Sequence, residues 1–264
     1  MNPIDLSLFD LAGAASLIVV NGALSVWLKL GLERKLAVAS VRSVVQLLIL
    51  GYVLVPVFSI AHPALVFGLG ALMVVLAGRA AVRRSSRTFR GAWGAGLFAM
   101  TLGAVPTTIF ATAMLIQVEP FWTPQYFVPL LGMVLGNALT GVSLGVDTAL
   151  KGFVLGRGQV ELLLAFGATR WEAARGVVAD AVRTGMIPIL NSMTVVGLVT
   201  IPGMMTGQIL GGTPPELAAR YQILILFLIA GAVGIGTMVA VLLTMRAVFD
   251  DADRLRLDRI TEVG

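Results

Sequence analysis

The sequence predicts an all-α, polytopic integral membrane protein with about seven transmembrane helices. Its mean hydropathy is +0.94. Of its 264 residues, 58% are hydrophobic and only 12% are charged, which exceeds what a soluble domain needs to fill its core. Runs of roughly 20 apolar residues recur, and each is long enough to cross about 30 Å of hydrocarbon. Lys and Arg are concentrated in alternate connecting segments, as expected of a chain that crosses a membrane repeatedly.

The apolar runs place residues 1–264 in one transmembrane domain, with a short cytoplasmic tail at 250–264. The predicted spans are Phe9–Lys29, Leu36–Phe58, Ala64–Val82, Ala92–Val118, Pro124–Val146, Gly185–Leu210 and Leu217–Phe249. One such run could be a buried helix of a soluble protein, but seven together indicate a membrane protein. The mixed-charge tail, DDADRLRLDRITEVG, is predicted to form a short surface helix or a frayed end.

The first span is predicted to be a retained helix that enters the membrane from outside. The residues MNPIDLSLFD carry two Asp and no Lys or Arg, whereas a signal peptide begins with basic residues. The loops 1–8, 59–63, 119–123 and 211–216 also lack Lys and Arg. The positive-inside rule therefore places the N-terminus outside and the C-terminus in the cytoplasm. Orientation and lipid headgroups account for the net charge of +5, so no nucleic acid is expected as a partner.

Several kinds of chemistry have no support in the sequence. There is no Cys, and hence no disulfide or thiolate metal site. The single His62 falls in an outer loop, where a solvated residue is commoner than a ligand. No GxxxxGK[ST] or HExxH motif occurs, and Asp10, Glu119, Asp147 and Glu216 lie near the predicted interfaces. These features disfavour an enzyme, ATP hydrolysis by this chain and proton-coupled transport.

An amphipathic segment between the fifth and sixth spans is too polar to cross a bilayer. It reads ELLLAFGATRWEAARGVVAD (161–180), with apolar residues at three- and four-residue spacings on one side. Gly167 interrupts the helical pattern, and GATRW predicts a turn into a second helical stretch. The segment is predicted either to lie on the lipid headgroups or to dock a cytosolic protein.

Small and polar residues in the spans predict helix packing. Arg42 and Gln46 share a face of the second span, where Arg42 would either snorkel to the headgroups or pair with a neighbouring helix. Three small-xxx-small patterns predict close helix approach: Gly132-x-x-x-Gly136, Gly141-x-x-x-Gly145 and Gly207-x-x-x-Gly211. Asn137 follows the first pattern and is predicted to hydrogen-bond to a neighbouring helix.

The Pro202-Gly203 pair predicts a break or kink in the sixth span, because proline removes a backbone donor. Irregular backbone at membrane depth is tolerated where it is buried in protein or lines a wet cavity. A translocation path is therefore predicted along Asn191, Met193, Pro202, Gly203, Met204, Met205 and Gln208. Thioethers and amide oxygens can bind metals, but Met also fills irregular space beside a kink. Both roles stay open at this point.

The run ELLLAFGATRWEAARGVV resembles the EAA loop of ABC-transporter permeases. Glu161 and Gly167 match the acid and the glycine of that motif. The resemblance implies that this segment sits in a groove of an ATPase subunit and relays its motion. The residues expected at the contact are Glu161, Phe166, Gly167, Arg170, Trp171 and Glu172. The chain departs from many ABC permeases at Ala179-Asp180, where they have Leu-Pro.

Three further stretches narrow the resemblance: VRSVVQLLILGYVL (41–54), PLLGMVLGNALTGVSL (129–144) and IPGMMTGQILGGTPP (201–215). Together with the EAA-like loop, they resemble the FetB (YbbM-type) family of iron-export permeases. Plant relatives of that family include an aluminium-tolerance half-transporter. The resemblance spans about residues 36 to 250, with four segments in the same order.

The resemblance implies a multi-pass subunit of the bacterial inner membrane that exports iron or a related metal. It also implies a homodimer of permeases that binds a separate cytosolic ATPase, which would hold ATP and magnesium. The chain itself would bind no cofactor. The residues alone leave two alternatives open: ABC export of another metal or a nucleotide sugar, and a stand-alone channel or carrier without an ATPase.

Overall fold

The computed structural model describes residues 7–262 and is helical over most of that range. Residues 1–6 of the predicted outer segment and 263–264 of the predicted tail lie outside it. The α-helices are α1 (Leu8–Trp27), α2 (Glu33–Ile60), α3 (Pro63–Arg83), α4 (Ala92–Phe110), α5 (Pro124–Leu155), α6 (Arg157–Ala165), α7 (Arg170–Val195), α8 (Gly203–Leu210) and α9 (Pro215–Val248). A π-helical turn, Ala111–Leu115, continues α4. Two short strands, β1 (Arg87–Phe89) and β2 (Ile260–Glu262), pair antiparallel.

Within the described range, six helices are long and apolar enough to cross a membrane. They are α1, α2, α3, α4 with its π-helical turn, α5 and α9. This confirms the predicted class of an all-α, polytopic membrane protein. It also confirms the short helix α6 between the fifth and sixth predicted spans.

The sixth predicted span, Gly185–Leu210, has a different form from a single kinked helix. Helix α7 begins at Arg170, because Thr169 and Glu172 form a capping box there, and it ends at Val195. The chain then leaves helical geometry until α8 begins at Gly203. Gly197 has a φ of +81° in this break, a conformation that glycine adopts without steric cost. The irregular stretch therefore covers residues 196–202, and Pro202 closes it.

Residues 7–61 with α1 and α2 form one compact unit of the chain. Its connecting turn is built around Ser25, whose hydroxyl donates to Glu33 Oε2 at 2.9 Å and accepts from the Leu32 N–H at 2.9 Å. Within this unit, neither Arg42 nor Gln46 makes a hydrogen bond or ion pair. Their predicted packing partners therefore stay a prediction.

The second unit contains α3 to α7, α9 and nearly all of α8, and α5 lies at its centre. Helices α3, α4, α7 and α9 all pack against α5, which buries Leu131, Val142, Leu150 and Phe153. Phe153 also meets Phe249 edge to face, with ring centroids 5.9 Å apart. The core of this unit is thus a central helix surrounded on several sides.

Helices α5, α7 and α9 approach most closely where small residues face one another. A Cβ added at Gly185 would lie 2.7 Å from Gly141 O and 2.5 Å from Thr237 Cγ2. A Cβ at Gly141 would lie 2.7 Å from Val233 Cγ1. Real side chains do not reach such distances, so only glycine fits at both positions. This is the close packing predicted for Gly141-x-x-x-Gly145.

The other two small-residue patterns do not show the same packing. A Cβ at Gly136 or at Gly207 would meet no heavy atom within 4 Å, and one at Gly132 would meet the flexible end of Met73. Asn137 is exposed and donates to the Met133 carbonyl oxygen of its own helix at 2.8 Å. The predicted bond to a neighbouring helix is therefore wrong, because an i−4 carbonyl is within reach of this amide.

Gly141→Ala should destabilise the protein by about 1–3 kcal/mol, because the added methyl overpacks the contact with α7 and α9. Gly136→Ala is the matched control on the same helix and should be neutral or slightly stabilising, since alanine favours helix and nothing opposes it. Thermal unfolding of both variants in detergent measures the difference. Equal midpoints for the two would contradict the packing assigned to Gly141.

Candidate functional site

The exposed turn between α6 and α7, residues 166–169, is closed by two adjoining helix caps. The Ala168 N–H donates to Leu163 O at 3.1 Å and the Gly167 N–H to Leu164 O at 3.0 Å, which is a Schellman motif ending α6. Gly167 has the positive φ of +87° that this motif requires. The turn predicted at Gly167 is therefore present, and its positive φ explains why a glycine stands there.

The second cap begins α7 immediately after the first. The Thr169 side chain accepts from the Glu172 N–H, and the Glu172 carboxylate accepts from the Thr169 N–H and hydroxyl, both at 2.8 Å. These hydrogen bonds lower the pKa of the Glu172 carboxyl. The ionised form therefore stabilises the folded turn at neutral pH, and this contribution is lost as pH falls through the lowered pKa.

The structure brings the six predicted coupling residues together around this turn and gives them different surroundings. Phe166 is 81% exposed at the tip. Glu161 accepts a hydrogen bond from Arg157 Nε at 2.8 Å. The guanidinium carbon of Arg246 lies over the Trp171 ring, 5.8 Å from the centroid of that ring. Glu172 is engaged in the cap. Arg170 contacts a segment near the C-terminal end of the chain, and no sequence pattern predicts this contact.

That segment is residues 250–262, after α9, and is called the tail segment below. Arg170 Nε lies 3.3 Å from Asp253 Oδ1, and the Arg170 N–H donates to Asp253 Oδ2 at 3.4 Å. The turn and the tail segment enclose a cleft of about 760 Å³. Its lining residues are Glu161, Leu164, Ala165, Gly167, Ala168, Ala252, Asp253, Arg254, Leu255 and Arg256.

The predicted form of the tail, a surface helix or frayed end, is wrong. The tail segment contains a 3-10 turn, Leu257–Arg259, and then the strand β2. Asp250 favours a turn over a helix at the start of the tail segment, because its carboxylate accepts from the Ala252 and Arg254 N–H groups at 3.0 and 2.9 Å. Local side-chain hydrogen bonds of this kind compete with helix formation.

A second pocket, of about 580 Å³, lies between the first turns of α5, helix α8 and the first turns of α9. Met204 and Gln208 of the predicted path line it, together with Met133, Tyr126 and Tyr221. Gln208 Oε1 is buried and accepts no hydrogen bond within the described part of the chain. This combination of thioethers, phenols and an unpartnered amide oxygen provides neutral ligand atoms.

The remaining residues predicted for the path are not part of this pocket. They are Asn191, Met193, Pro202, Gly203 and Met205. Asn191 is exposed near the end of α7, and Met205 is half-buried on α8 beside Met204. Between residues 7 and 262, no three His, Cys, Asp or Glu side chains are grouped so that they could hold a metal ion.

A family model described as "Uncharacterised protein family (UPF0014)" matches residues 8–249. The chain belongs to this family. This UPF0014 chain is 34% identical to a UPF0014 membrane protein of Synechocystis, over 96% of this chain and 97% of the relative. The predicted resemblance to the family of FetB is confirmed.

Two relatives carry more informative names. The chain is 30% identical to "Probable iron export permease protein FetB" of Escherichia coli K12, over 97% of both proteins. It is 33% identical to "Protein ALUMINUM SENSITIVE 3" of Arabidopsis thaliana, over 92% of this chain and 88% of the relative. No solved structure matches the chain. Family membership and the six candidate spans make this UPF0014 chain a multi-pass integral membrane protein.

Proposed function

We propose that this chain is the permease subunit of an ABC transporter that exports iron or a related metal ion, driven by a separate cytosolic ATPase. The observation that carries the proposal is the course of α7. This helix starts at the exposed turn between α6 and α7, residues 166–169, which is called the coupling turn below. It then passes the close contact at Gly185 and ends at the break before α8. One continuous helix, which contains Pro188, thus joins the candidate docking site to the region of the second pocket.

The dimensions of α7 suit this role. Its 26 residues span about 39 Å at 1.5 Å per residue, which exceeds the roughly 30 Å thickness of the hydrocarbon. Asp180 stands where many ABC permeases have proline, and it pairs with Arg183 at 2.9 Å. The helix therefore continues without interruption through this position. A displacement of the turn by the ATPase would be carried along α7 to its far end.

The exposed apolar side chains of α6 support the docking of a protein. Phe166 is 81% exposed and Leu162 is 56% exposed, beside a turn whose backbone is fixed by two caps. In the proposed complex, the ATPase removes these apolar side chains from water. In this proposal ATP and magnesium bind to the ATPase, and two permease chains assemble with two ATPase copies.

The substrate is proposed from the name of the FetB relative and from the second pocket. Met133 and Met204 offer thioethers, and Gln208 offers a carbonyl oxygen, which suits a site that passes a metal on without holding it tightly. Export of another substrate is the second candidate. It is favoured by the lining of this pocket, which contains no charged residue.

The Lys and Arg distribution supports an orientation with the N-terminus outside and the α6–α7 turn and tail segment in the cytoplasm of a bacterial cell, with the chain in the inner membrane. This orientation needs seven crossings, of which six are the candidate spans and the seventh is made by α7 and α8 together. In intact cells, a membrane-impermeant maleimide should label Glu216→Cys and should leave Gly158→Cys unlabelled. Both positions are exposed, and the chain has no other Cys. Permeabilised cells supply the control, in which both should react. Labelling of Gly158→Cys in intact cells would reverse the proposed topology.

Gly167→Val should reduce ATPase stimulation by tenfold or more, because a β-branched residue does not adopt the positive φ of the Schellman motif. Gly167→Asn is the matched control, since asparagine tolerates this conformation and no atom lies within 4 Å of the added Cβ. Co-purification with the ATPase and its hydrolysis rate are measured for both variants. The coupling proposal is wrong if Gly167→Val and Gly167→Asn both bind and stimulate the ATPase as well as the wild type does.

Met204→Leu combined with Gln208→Leu should impair metal efflux severalfold while expression and ATPase binding persist. Leucine is close to methionine in volume, so Met204→Leu should cost below about 1.5 kcal/mol. Gln208→Leu removes a buried amide oxygen that has no hydrogen-bond partner in the described part of the chain. Met205→Leu is the control on the same helix, outside the pocket lining, and should retain efflux. Cellular iron content under iron load gives the readout. Normal efflux in the double variant would assign these side chains to packing.

A further inference from the structure

The tail segment is a folded part of the second unit, held by its own contacts. The Arg256 N–H donates to Val248 O at 2.8 Å, and Arg259 donates to the carbonyl oxygens of Ala247 and Phe249 at 3.1 and 3.0 Å. These bonds satisfy carbonyl groups at the C-terminal end of α9, which the helix itself leaves without partners. The tail segment therefore doubles back along the end of α9.

Asp250 fixes the shape of the segment's first turn. Besides the two backbone N–H groups, its carboxylate accepts from Arg254 Nε at 2.9 Å. Hydrogen bonds from Arg254 lower the pKa of Asp250, so the carboxylate is ionised at neutral pH. Asp253 follows with a positive φ of 56°, which aspartate tolerates better than most residues. Its side chain is thereby presented to Arg170.

The far end of the segment is attached to the loop between α3 and α4. Strand β2 pairs with β1 in the register Arg87–Glu262 and Phe89–Ile260, and Arg87 forms an ion pair with Glu262 at 3.2 Å. The segment thus bridges the α6–α7 turn and the α3–α4 loop. The α3–α4 loop and the α6–α7 turn are far apart in sequence. Within residues 7–262, no hydrogen bond or ion pair joins them directly.

We propose that the tail segment is the second wall of the ATPase docking site and that Asp253 is a positioning residue, which holds the coupling turn in place through Arg170. The inference rests on the proposed function. The 760 Å³ cleft has the coupling turn as one wall and residues 252–256 as the other. A protein that seats on the turn at this cleft must therefore also contact the tail segment.

The charges of the cleft favour a protein over an anionic lipid as its occupant. Arg254 is paired with Asp250, and Arg256 is paired with Asp258 at 2.9 Å. Arg170 is paired with Asp253. Because these guanidinium groups are already matched by carboxylates, the cleft presents polar groups of both signs. Anionic headgroups are typically bound by clusters of Lys and Arg instead.

The test compares Asp253→Asn with Asp251→Asn. Both variants remove one negative charge from the same turn, but Asp251 forms no ion pair within the described part of the chain. The full-length chain is purified and mixed with each ABC-type ATPase of its genome that lacks membrane segments. Asp253→Asn should weaken ATPase binding or stimulation about two- to fivefold, as expected for a partly exposed ion pair. Asp251→Asn should match the wild type.

A cross-linking measurement separates docking from a purely structural role of the tail segment. Ala252→Cys, exposed and in the cleft, is coupled to a short photo-reactive maleimide and should cross-link to the ATPase. Gly94→Cys, exposed at the start of α4, should not. Cross-linking of position 252 to lipid alone would overturn the inference.

The two proposals fail in different ways. If the wild-type chain binds none of the ATPases, the proposed function is wrong. If the wild type binds one of them, while Asp253→Asn equals Asp251→Asn and position 252 gives no cross-link, the docking role of the tail segment is wrong and the proposed function stands.

Discussion

The close approach of α5, α7 and α9 at Gly141, Gly185 and Thr237 is the contact on which the rest of the second unit depends. A Cβ at Gly185 would overlap both neighbours, so the three helices touch through backbone and small side chains. Contacts of this kind take the place of the hydrophobic driving force, which is weak between helices in lipid. They fix α7 against the core at mid-helix. The first half of α7 is packed as well, since Ala173 and Ala174 are buried and a Cβ at Gly152 of α5 would lie 2.7 Å from Val177 Cγ1.

The two ends of α7 are where the candidate functional regions lie. One end is rigidly capped by Thr169 and Glu172 and carries the exposed turn. The other ends at Val195 in irregular backbone, after which α8 contributes Met204 and Gln208 to the second pocket. Because one continuous helix joins these two regions, the proposed function requires that motion at the turn reaches α8 along α7. In the proposed function, this arrangement would let a separate ATPase drive a chain that carries no P-loop motif of its own.

Much of this architecture could be predicted from the sequence, because hydropathy and helix caps are local properties. The six spans follow from runs of apolar residues. The turn after α6 follows from Gly167, and the start of α7 follows from Thr169 and Glu172, which have the spacing of a capping box. The Pro202-Gly203 pair predicts the break several residues later than residues 196–202, where it lies, because Pro202 immediately precedes the start of α8. The positive φ of Gly197 has no distinctive sequence signal. The cleft was missed, because the Arg170–Asp253 pair joins residues that are distant in sequence.

In the proposed transporter, ATP-dependent motion of the α6–α7 turn reaches α8 through α7. Spin labels at Gly136 on α5 and Gly207 on α8 test it most directly, since both positions are open and the chain has no Cys to remove. Labelled chain is diluted with unlabelled chain, so that each complex with the ATPase carries one labelled copy. If α7 transmits the motion, ATP binding should change the distance between the labels, and Gly167→Val should abolish this change. An unchanged distance in a complex that hydrolyses ATP would show that α7 does not transmit the motion.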